Sequence, residues 1–483
     1  MNWTNEQEQA IYEKGNNILV AAAAGSGKTA VLVERIINKI ICENIDIDRL
    51  LVVTFTNAAA SEMRERILKA IYAILEEEEN PNLQRQITLL NKASICTIDA
   101  FCLDVIRNNF FELDISPNFR IANTAEVELL KQEILEDIFE KKYIAEDEDF
   151  AKLIQNYSDY RNDEPLRNLI LKIYTFIQSN PYPEEWLEEQ TEKFNIQDIE
   201  KDFSKTEWGK ILLKDLEDEI VDCITILKEE AKKLSRYEEL EENRKVIIND
   251  IGELETFKQN LDTWDKAYAV GENLEFIKWP RNKSTLELKD KAKEARDSVK
   301  KRINKKILQC NSKEANQDIK DMFETLTKLK NIILEFGEEF AKAKREKNIL
   351  DFNDIEHLAL KILVKKEDGK IKQTEVAKKY QEKYKEIAID EYQDSNMLQE
   401  YILSSISNQK NIFMVGDIKQ SIYKFRQARP DLFYSKYTTY KLKENKKEND
   451  DLKIQLFKNF RSRKNVLEFT NNVFESIMAE NPW

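Results

Sequence analysis

The chain has 483 residues, a formal net charge of −14, 34% charged residues, and only 9 glycines and 8 prolines. That length allows about two to four domains with large cores, and the composition favours a helix-rich soluble protein with few long loops. The acidic balance gives no support to nucleic-acid binding, although a local basic groove is enough for it. No apolar run reaches the roughly 18 residues a membrane span requires, so no membrane association is expected.

The polar start Met1-Asn2-Trp3-Thr4-Asn5 has no signal-peptide pattern. Cys42, Cys96, Cys102, Cys223 and Cys310 lack metal-type Cys-x-x-Cys spacing and read as reduced buried thiols of a cytoplasmic protein. The single histidine, His357, lies in a helical pattern and reads as structural.

Thr4 followed by Gln7 is a capping-box signature for a first helix. A glutamine just ahead of a phosphate loop also offers the donor and acceptor that an adenine edge requires. Both readings stand at this point. Ile18 to Ala21 is a short apolar strand, and Ala22-Ala23-Ala24-Gly25-Ser26-Gly27-Lys28-Thr29 follows, then an amphipathic helix. Strand, small-residue loop and helix in that order are the context of a phosphate-binding loop. The glycines let backbone N–H groups curl round phosphate oxygens, and the helix N-terminus adds its dipole. Lys28 would reach the β- and γ-phosphates, and the Thr29 hydroxyl would hold Mg²⁺. The usual first glycine is Ala22 here. The plain alternative is a Gly-Ser turn before a surface helix.

From Leu50 an apolar strand ends in a Thr/Asn cluster that includes Phe55-Thr56-Asn57, and Ser94 to Cys102 repeats the arrangement, a short strand ending in polar residues plus an aromatic ahead of a helix from Leu103 to Phe111. Ligands of parallel sheets bind at the carboxyl ends of strands. Phe55, Thr56 and Asn57 suit stacking on a base and gripping a phosphate, or simple helix capping. Three βα units in about 110 residues predict a parallel sheet with crossover helices.

From about Arg120 to Arg345 the pattern changes. Between Thr191 and Cys310 there are 25 Lys/Arg and 27 Asp/Glu, and apolar residues recur at helical spacing, as in Leu129, Ile134, Leu135, Ile138 and Phe139. This predicts an inserted all-helical domain over 121–345, with the α/β domain formed by 1–120 and 346–483. Most of the charge reads as solvated helix face, although Lys289 to Lys306 could line a nucleic-acid path.

Strand signals return in Lys385 to Asp394, where an apolar strand runs into carboxylates, in Asn411 to Arg426, where the strand ends in Gly-Asp and then Gln, and at Lys453 to Leu456. Asp390 stands at the end of the first strand, placed to hold Mg²⁺, and Glu391 can accept a proton from an attacking water. Gln420 can orient that water or sense the γ-phosphate, and Arg461 can neutralise charge on it. The joint reading is an Mg²⁺-dependent ATPase whose strand-end loops touch nucleic acid.

Together, Ala21 to Thr29, Val53 to Met63, Thr97-Ile-Asp-Ala-Phe-Cys102, Asn118 to Ala122, Leu350 to His357, Asp390-Glu-Tyr-Gln-Asp394, Val415 to Tyr423 and Asn459-Phe-Arg-Ser462 carry a family likeness. The chain resembles the UvrD/Rep-like helicases of superfamily one, most closely the AddA type of bacterial AddAB helicase–nucleases, with RecB more distant. The resemblance implies a RecA-like α/β fold, ATP and Mg²⁺ as cofactors, and 3′→5′ DNA helicase activity in double-strand break repair and recombination. It also implies single-stranded or duplex DNA as partner and, in a heterodimer, a second polypeptide of AddB or RexB type.

By the same resemblance Gln7 reads adenine, and Ala21, Ala22, Ala23, Ala24, Gly25, Ser26, Gly27, Lys28 and Thr29 hold ATP. Thr29 and Asp390 hold Mg²⁺, Glu391 is the catalytic base, Gln420 couples ATP to DNA, and Arg461 is an arginine finger. Phe55, Thr56, Asn57, Phe101, Tyr423 and Phe425 face single-stranded DNA. Asp99 stands where many relatives have histidine. The second motor lobe and the nuclease domain of such proteins are expected beyond Trp483, so the chain by itself is expected to bind ATP·Mg²⁺ weakly and turn it over slowly. The other readings are the lobe of a stand-alone UvrD-like helicase and a nucleotide- or DNA-binding module without turnover.

Overall fold

The computed structural model describes residues 3–77, 79–113, 115–158, 162–281, 286–367 and 370–479. Its strands, in chain order, are β1 (Ile18–Ala22), β2 (Leu50–Thr54), β3 (Ser94–Thr97), β4 (Arg120–Ile121), β5 (Ile349–Leu350), β6 (Val364–Glu367), β7 (Lys370–Gln373), β8 (Glu386–Ile389), β9 (Ile412–Gly416) and β10 (Leu452–Leu456). Six of them form one sheet in the order β10-β1-β9-β8-β2-β3. Every pairing in it is parallel, with Val20 opposite both Val415 and Ile454, and Val53 opposite both Ile389 and Cys96.

Side chains alternate across a strand, so a sheet covered on both faces needs apolar residues at nearly every position. These strands supply them. Ile18, Val20, Leu50, Val52, Phe413, Val415 and Ile454 enter one core, with the helices Lys28–Ile41, Asn57–Glu77 and Pro81–Leu90. Leu19, Leu51, Val53, Ile387, Ile389 and Met414 enter the other, with the helices Ile98–Asn109, Phe352–Leu363 and Met397–Ser405. The helix Ile98–Asn109 begins well before the expected Leu103, because the Thr97 hydroxyl accepts the Ala100 N–H and caps it at the strand end.

One buried ionic cluster ties the two layers. Arg35, on the helix after the phosphate loop, donates to both oxygens of Glu386 in β8 at 2.8 and 2.7 Å. Lys39 lies 3.0 Å from the same carboxylate, and the Arg35 guanidinium stacks 4.3 Å from the Phe413 ring. Burial alone would push the Glu386 carboxyl up, but Arg35 and Lys39 outweigh it and hold it below the usual range.

Between Thr124 and Glu346 every named element among the described residues is a helix. The chain divides into two compact units. One unit holds residues 1–147, 157–186 and 332–483, and the other holds 148–156 and 187–331. The first keeps the helices Thr124–Ile144 and Glu164–Ile177 because aromatic packing fastens them. Tyr174 lies edge-on to Phe336 at 4.9 Å, and Arg167 covers the Phe139 ring at 4.4 Å. Within Thr124–Ile144 the buried stripe runs through Val127, Leu130, Leu135, Ile138 and Phe139; Leu129, expected on it, is exposed because it is one position out of phase. The second unit has its own core, including Leu216, Ile220, Leu227, Leu254, Phe257 and Val299. Inside it Arg296 pairs with Asp250 and donates to the Ile277 carbonyl at 2.7 Å.

Candidate functional site

The loops after β1, β8 and β9 open side by side because those strands are neighbours. The first is the phosphate-loop sequence. Ala21 and Ala22 end β1, Ala23 and Ala24 are exposed, and the helix Lys28–Ile41 starts directly after Gly27. Gly25 has φ +72°, and a Cβ built there would meet Asn459 Nδ2 at 2.7 Å, so the position takes no side chain. Asn459, in the loop after β10, donates through Nδ2 to the Ala24 carbonyl at 2.8 Å, and the Phe460 N–H donates to the Gly25 carbonyl at 2.8 Å. Asn459 Oδ1 accepts the N–H groups of Arg461 and Ser462 at 2.9 and 2.8 Å. The segment carrying Arg461 is thereby fastened to the phosphate loop.

Gln7 acts from the other side. Its Oε1 accepts the Thr4 N–H at 3.0 Å, completing the expected capping box, and its Nε2 donates to the Ser26 carbonyl at 3.1 Å. It therefore braces the loop as well as capping its own helix. Ser26 is 1% exposed, and its hydroxyl has no hydrogen-bond partner among the described residues. A buried hydroxyl without a partner is costly unless a ligand supplies one.

Lys28, Thr29, Glu391, Gln420 and Arg461 line one cavity of about 320 Å³ with Gly25, Ser26, Arg66 and Phe460. Lys28 Nζ sits 3.1 Å from Glu391 Oε2. Glu391 reaches it from a left-handed backbone, φ 52°, a conformation that costs a non-glycine residue on the order of 1 kcal/mol. The following turn holds that conformation, with the Asp394 N–H donating to the Glu391 carbonyl at 2.9 Å. Gln420 Nε2 donates to Asp417 Oδ2 at 2.7 Å.

Asp390 lines the adjoining cavity of about 590 Å³, together with Asp99, Glu356 and Asp394; Glu391 borders both cavities, and the Lys28 charge reaches the Asp390 carboxyl. The backbone accounts for this. The Asp390 N–H continues the sheet to the Val53 carbonyl at 2.9 Å, and its Oδ1 accepts the Glu391 N–H at 3.1 Å. Burial, with the Glu391 charge added, pushes the Asp390 carboxyl up to about 6 against the opposing pull of Lys28. Burial and Glu391 push Asp394 up to about 6 as well, and burial with the Asp99 charge takes Glu356 to about 7.

The aromatic residues expected to face DNA separate into two groups. Phe55, Tyr423 and Phe425 form a row, with ring centroids 4.4 Å apart between Phe55 and Tyr423 and 5.8 Å apart between Tyr423 and Phe425. Phe425 is 74% exposed. Thr56 and Asn57 are exposed beside Phe55, and the Thr56 hydroxyl accepts the Ala59 N–H at 3.1 Å, so capping is part of its work. Phe101 does not belong with them. It is 2% exposed and packs edge-on to Tyr380 and Tyr384 in the core, because the helix starts at Ile98 and turns that position inward.

Sequence reasoning did not single out Arg66, Gln393, Asp417 or Asn459. Three of them stood inside motifs without being given a role: Gln393 in Asp390-Glu-Tyr-Gln-Asp394, Asp417 in Val415 to Tyr423 and Asn459 in Asn-Phe-Arg-Ser, whereas Arg66 had no signal. His357 is structural as expected: its Nε2 lies 2.9 Å from the Gln178 carbonyl, and burial holds its pKa down.

The sequence profile of the UvrD/REP helicase N-terminal domain matches residues 3–248 and 222–441. The chain is similar to an ATP-dependent helicase/nuclease subunit from Acetivibrio thermocellus, 45% identical over 496 residues that cover 99% of this chain and 39% of that protein. Proteins of the same name are 45% identical in Thermoanaerobacter sp. strain X514 over 493 residues (99% and 40% covered) and in Clostridium novyi over 498 residues (99% and 39% covered). The chain thus spans about two fifths of the length of these relatives. With a phosphate loop at the carboxyl edge of a parallel sheet and a match that runs through most of its length, the chain belongs to the family of the UvrD/REP helicase N-terminal domain.

Proposed function

We propose that the chain is the ATP-binding motor lobe of a 3′→5′ DNA helicase or translocase belonging to a helicase–nuclease of double-strand break repair and recombination. The observation that carries the reading is the cavity in which Lys28, Thr29, Glu391, Gln420 and Arg461 meet round a buried, unsatisfied Ser26 hydroxyl. Anionic phosphate fits this wall because Lys28, Arg66 and Arg461 supply positive charge and the helix Lys28–Ile41 presents its N-terminus. The names of the relatives support helicase work as one subunit of a larger helicase/nuclease; DNA and a second polypeptide of AddB or RexB type are the partners this reading proposes.

The Lys28–Glu391 pair suggests how the site is armed. A γ-phosphate competes for Lys28 and leaves the Glu391 carboxylate as acceptor for the proton of the attacking water. Gln420 orients that water, and Arg461 counters the charge that grows on the transferred group. Thr29 and Asp390 are the side chains that would hold Mg²⁺, which neutralises phosphate charge when bound. Gln7 supports the base end. Phe55, Thr56, Asn57, Tyr423 and Phe425 carry the DNA strand, through stacking that tolerates any base.

The division of labour follows the chain. Residues 1–120 and 346–483 form the ATP-binding part, and 121–345 a helical insertion. The parallel pairing of Arg120–Ile121 with Ile349–Leu350, at the two ends of the helical stretch, supports that division.

Single-turnover hydrolysis of ATP·Mg²⁺ by the 483-residue chain tests the reading, with Lys28→Ala as control. Slow hydrolysis that disappears in Lys28→Ala is expected. Hydrolysis unaffected by that change contradicts it.

A further inference from the structure

Gln393 is 1% exposed and bonds to Glu391, which borders both cavities, and to Asp394, which lines the larger one. Its Nε2 donates to Glu391 Oε2 at 2.8 Å and to Asp394 Oδ2 at 3.2 Å. Its Oε1 accepts the Asp417 N–H at 2.9 Å. Asp417 passes the connection on, because its carboxylate accepts Gln420 Nε2 at 2.7 Å and the Lys419 N–H at 3.1 Å. One buried amide thus bridges the carboxylate beside Lys28 and the turn that carries Gln420.

The orientation of this amide is not interchangeable. Reversed, it would set its oxygen against two carboxylates and its NH₂ against the Asp417 N–H. Its space is also reserved. A Cβ on Gly416, the last residue of β9, would lie 2.4 Å from Gln393 Oε1 and 3.0 Å from the Phe433 ring. Only glycine leaves room there for the amide to meet the Asp417 N–H. A buried polar group engaged on both sides holds its partners in fixed register. The plain alternative is an amide that merely satisfies the core. It does not account for partners that are themselves cavity-lining or bonded to cavity-lining groups.

We infer that Gln393 is a positioning residue that locks the Glu391 carboxylate and the Asp417–Gln420 turn into one register, so that the two move together. The inference rests on the ATPase reading above. Once Lys28 turns to phosphate, Gln393 is what still holds Glu391 in place. Because Tyr423 and Phe425 follow the same turn, a strand that displaces them shifts Glu391 through Asp417 and Gln393. Gln393 is thereby the link by which DNA contact reaches the hydrolytic carboxylate.

Gln393→Leu and Gly416→Ala test this in the 483-residue chain; Gln393→Asn, which shortens the amide by one methylene, replaces the first where Leu impairs folding. Three readouts are taken: affinity for a fluorescent ATP analogue with Mg²⁺, single-turnover hydrolysis, and amide hydrogen exchange over residues 412–422. The variants are expected to hydrolyse ATP about tenfold or more slowly, with analogue affinity within about threefold of wild type. Exchange at Asp417 through Gln420 is expected to rise about tenfold or more while Ile412 to Val415 stay protected. Equal exchange at Asp417 in wild type and variants overturns the positioning role whatever the hydrolysis rate. So does hydrolysis that falls only in proportion to analogue affinity. A wild-type chain that binds no nucleotide in the same titration strikes the ATPase reading instead, and the exchange data then judge Gln393 separately.

Discussion

The two cavities at the carboxyl edge of the sheet share a wall and differ in almost everything else. The smaller, about 320 Å³, is bounded by Lys28, Arg66 and Arg461 and by the N-terminus of a helix. The larger, about 590 Å³, is bounded by Asp99, Glu356, Asp390 and Asp394. Both arise from the same strand-loop-helix topology, so the fold does not decide which takes an anion. Side-chain charge does, and on the proposed function a triphosphate takes the smaller one. Size alone would choose the other cavity. Glu391, on the shared wall, meets Lys28 at 3.1 Å, and that contact draws the boundary between them.

The sharpest way to break this comparison is at the shared wall. Glu391→Gln should leave ATP·Mg²⁺ binding near wild type and slow single-turnover hydrolysis by about 10²–10⁴-fold, the usual worth of a general base. An equal loss of binding would place Glu391 in the ground-state grip on the nucleotide and blur the distinction between the cavities.

A second test lies on the aromatic row. Phe425→Ala should weaken single-strand DNA binding by roughly 1–3 kcal/mol without changing nucleotide affinity, since one stacked base is lost. Fluorescence anisotropy of a labelled oligonucleotide measures the first, and a nucleotide titration the second. Unchanged oligonucleotide affinity would remove the row from the DNA path.

The smallest effect concerns the acidic cavity and is read as stability. Glu356 is buried with its carboxyl pushed up to about 7, by burial first and the Asp99 charge second. Its folded pKa lies above the unfolded one, so the favourable contribution is full below about pH 4.5 and fades as pH rises toward 7. Glu356→Gln removes that fading and keeps an acceptor for Gln399 Nε2, now 2.8 Å from Glu356 Oε1. At pH 8 the variant should be more stable than wild type by about 1–2 kcal/mol in urea unfolding, and at pH 5 the gain should shrink. An advantage that grows on acidification would contradict the sign.

The sheet was legible because its evidence is local. Ile18 to Ala21, Leu50 to Thr54 and Ile412 to Gly416 are apolar runs bounded by turn residues, which is how a doubly covered parallel strand reads. That Lys28, Thr29, Glu391, Gln420 and Arg461 gather at one cavity was legible for the same reason, since each follows a strand of the sheet. What escaped depends on residues far apart in sequence. Nothing near Glu386 announces that Arg35 and Lys39 will neutralise it inside a strand, and nothing near Gly416 announces that its missing side chain houses the Gln393 amide. Phe101 misled because a strand-end aromatic matches the pattern of Phe55, while the Thr97 cap starts the helix early and turns the ring inward. The boundaries at 121 and 345 were read from composition and helical spacing alone, and neither shows that Tyr174, Phe336 and Phe340 pack part of the helical stretch into the sheet-bearing unit.

The measurement that bears most directly on the charge argument is an equilibrium titration of the 483-residue chain with ATP·Mg²⁺, run in parallel on Lys28→Ala and Glu356→Gln. The account predicts that Lys28→Ala weakens binding by about 2–5 kcal/mol, the cost of losing a charged partner in a desolvated site, and that Glu356→Gln leaves it unchanged. Binding that survives Lys28→Ala and changes with Glu356→Gln would put the nucleotide in the acidic cavity and contradict the assignment.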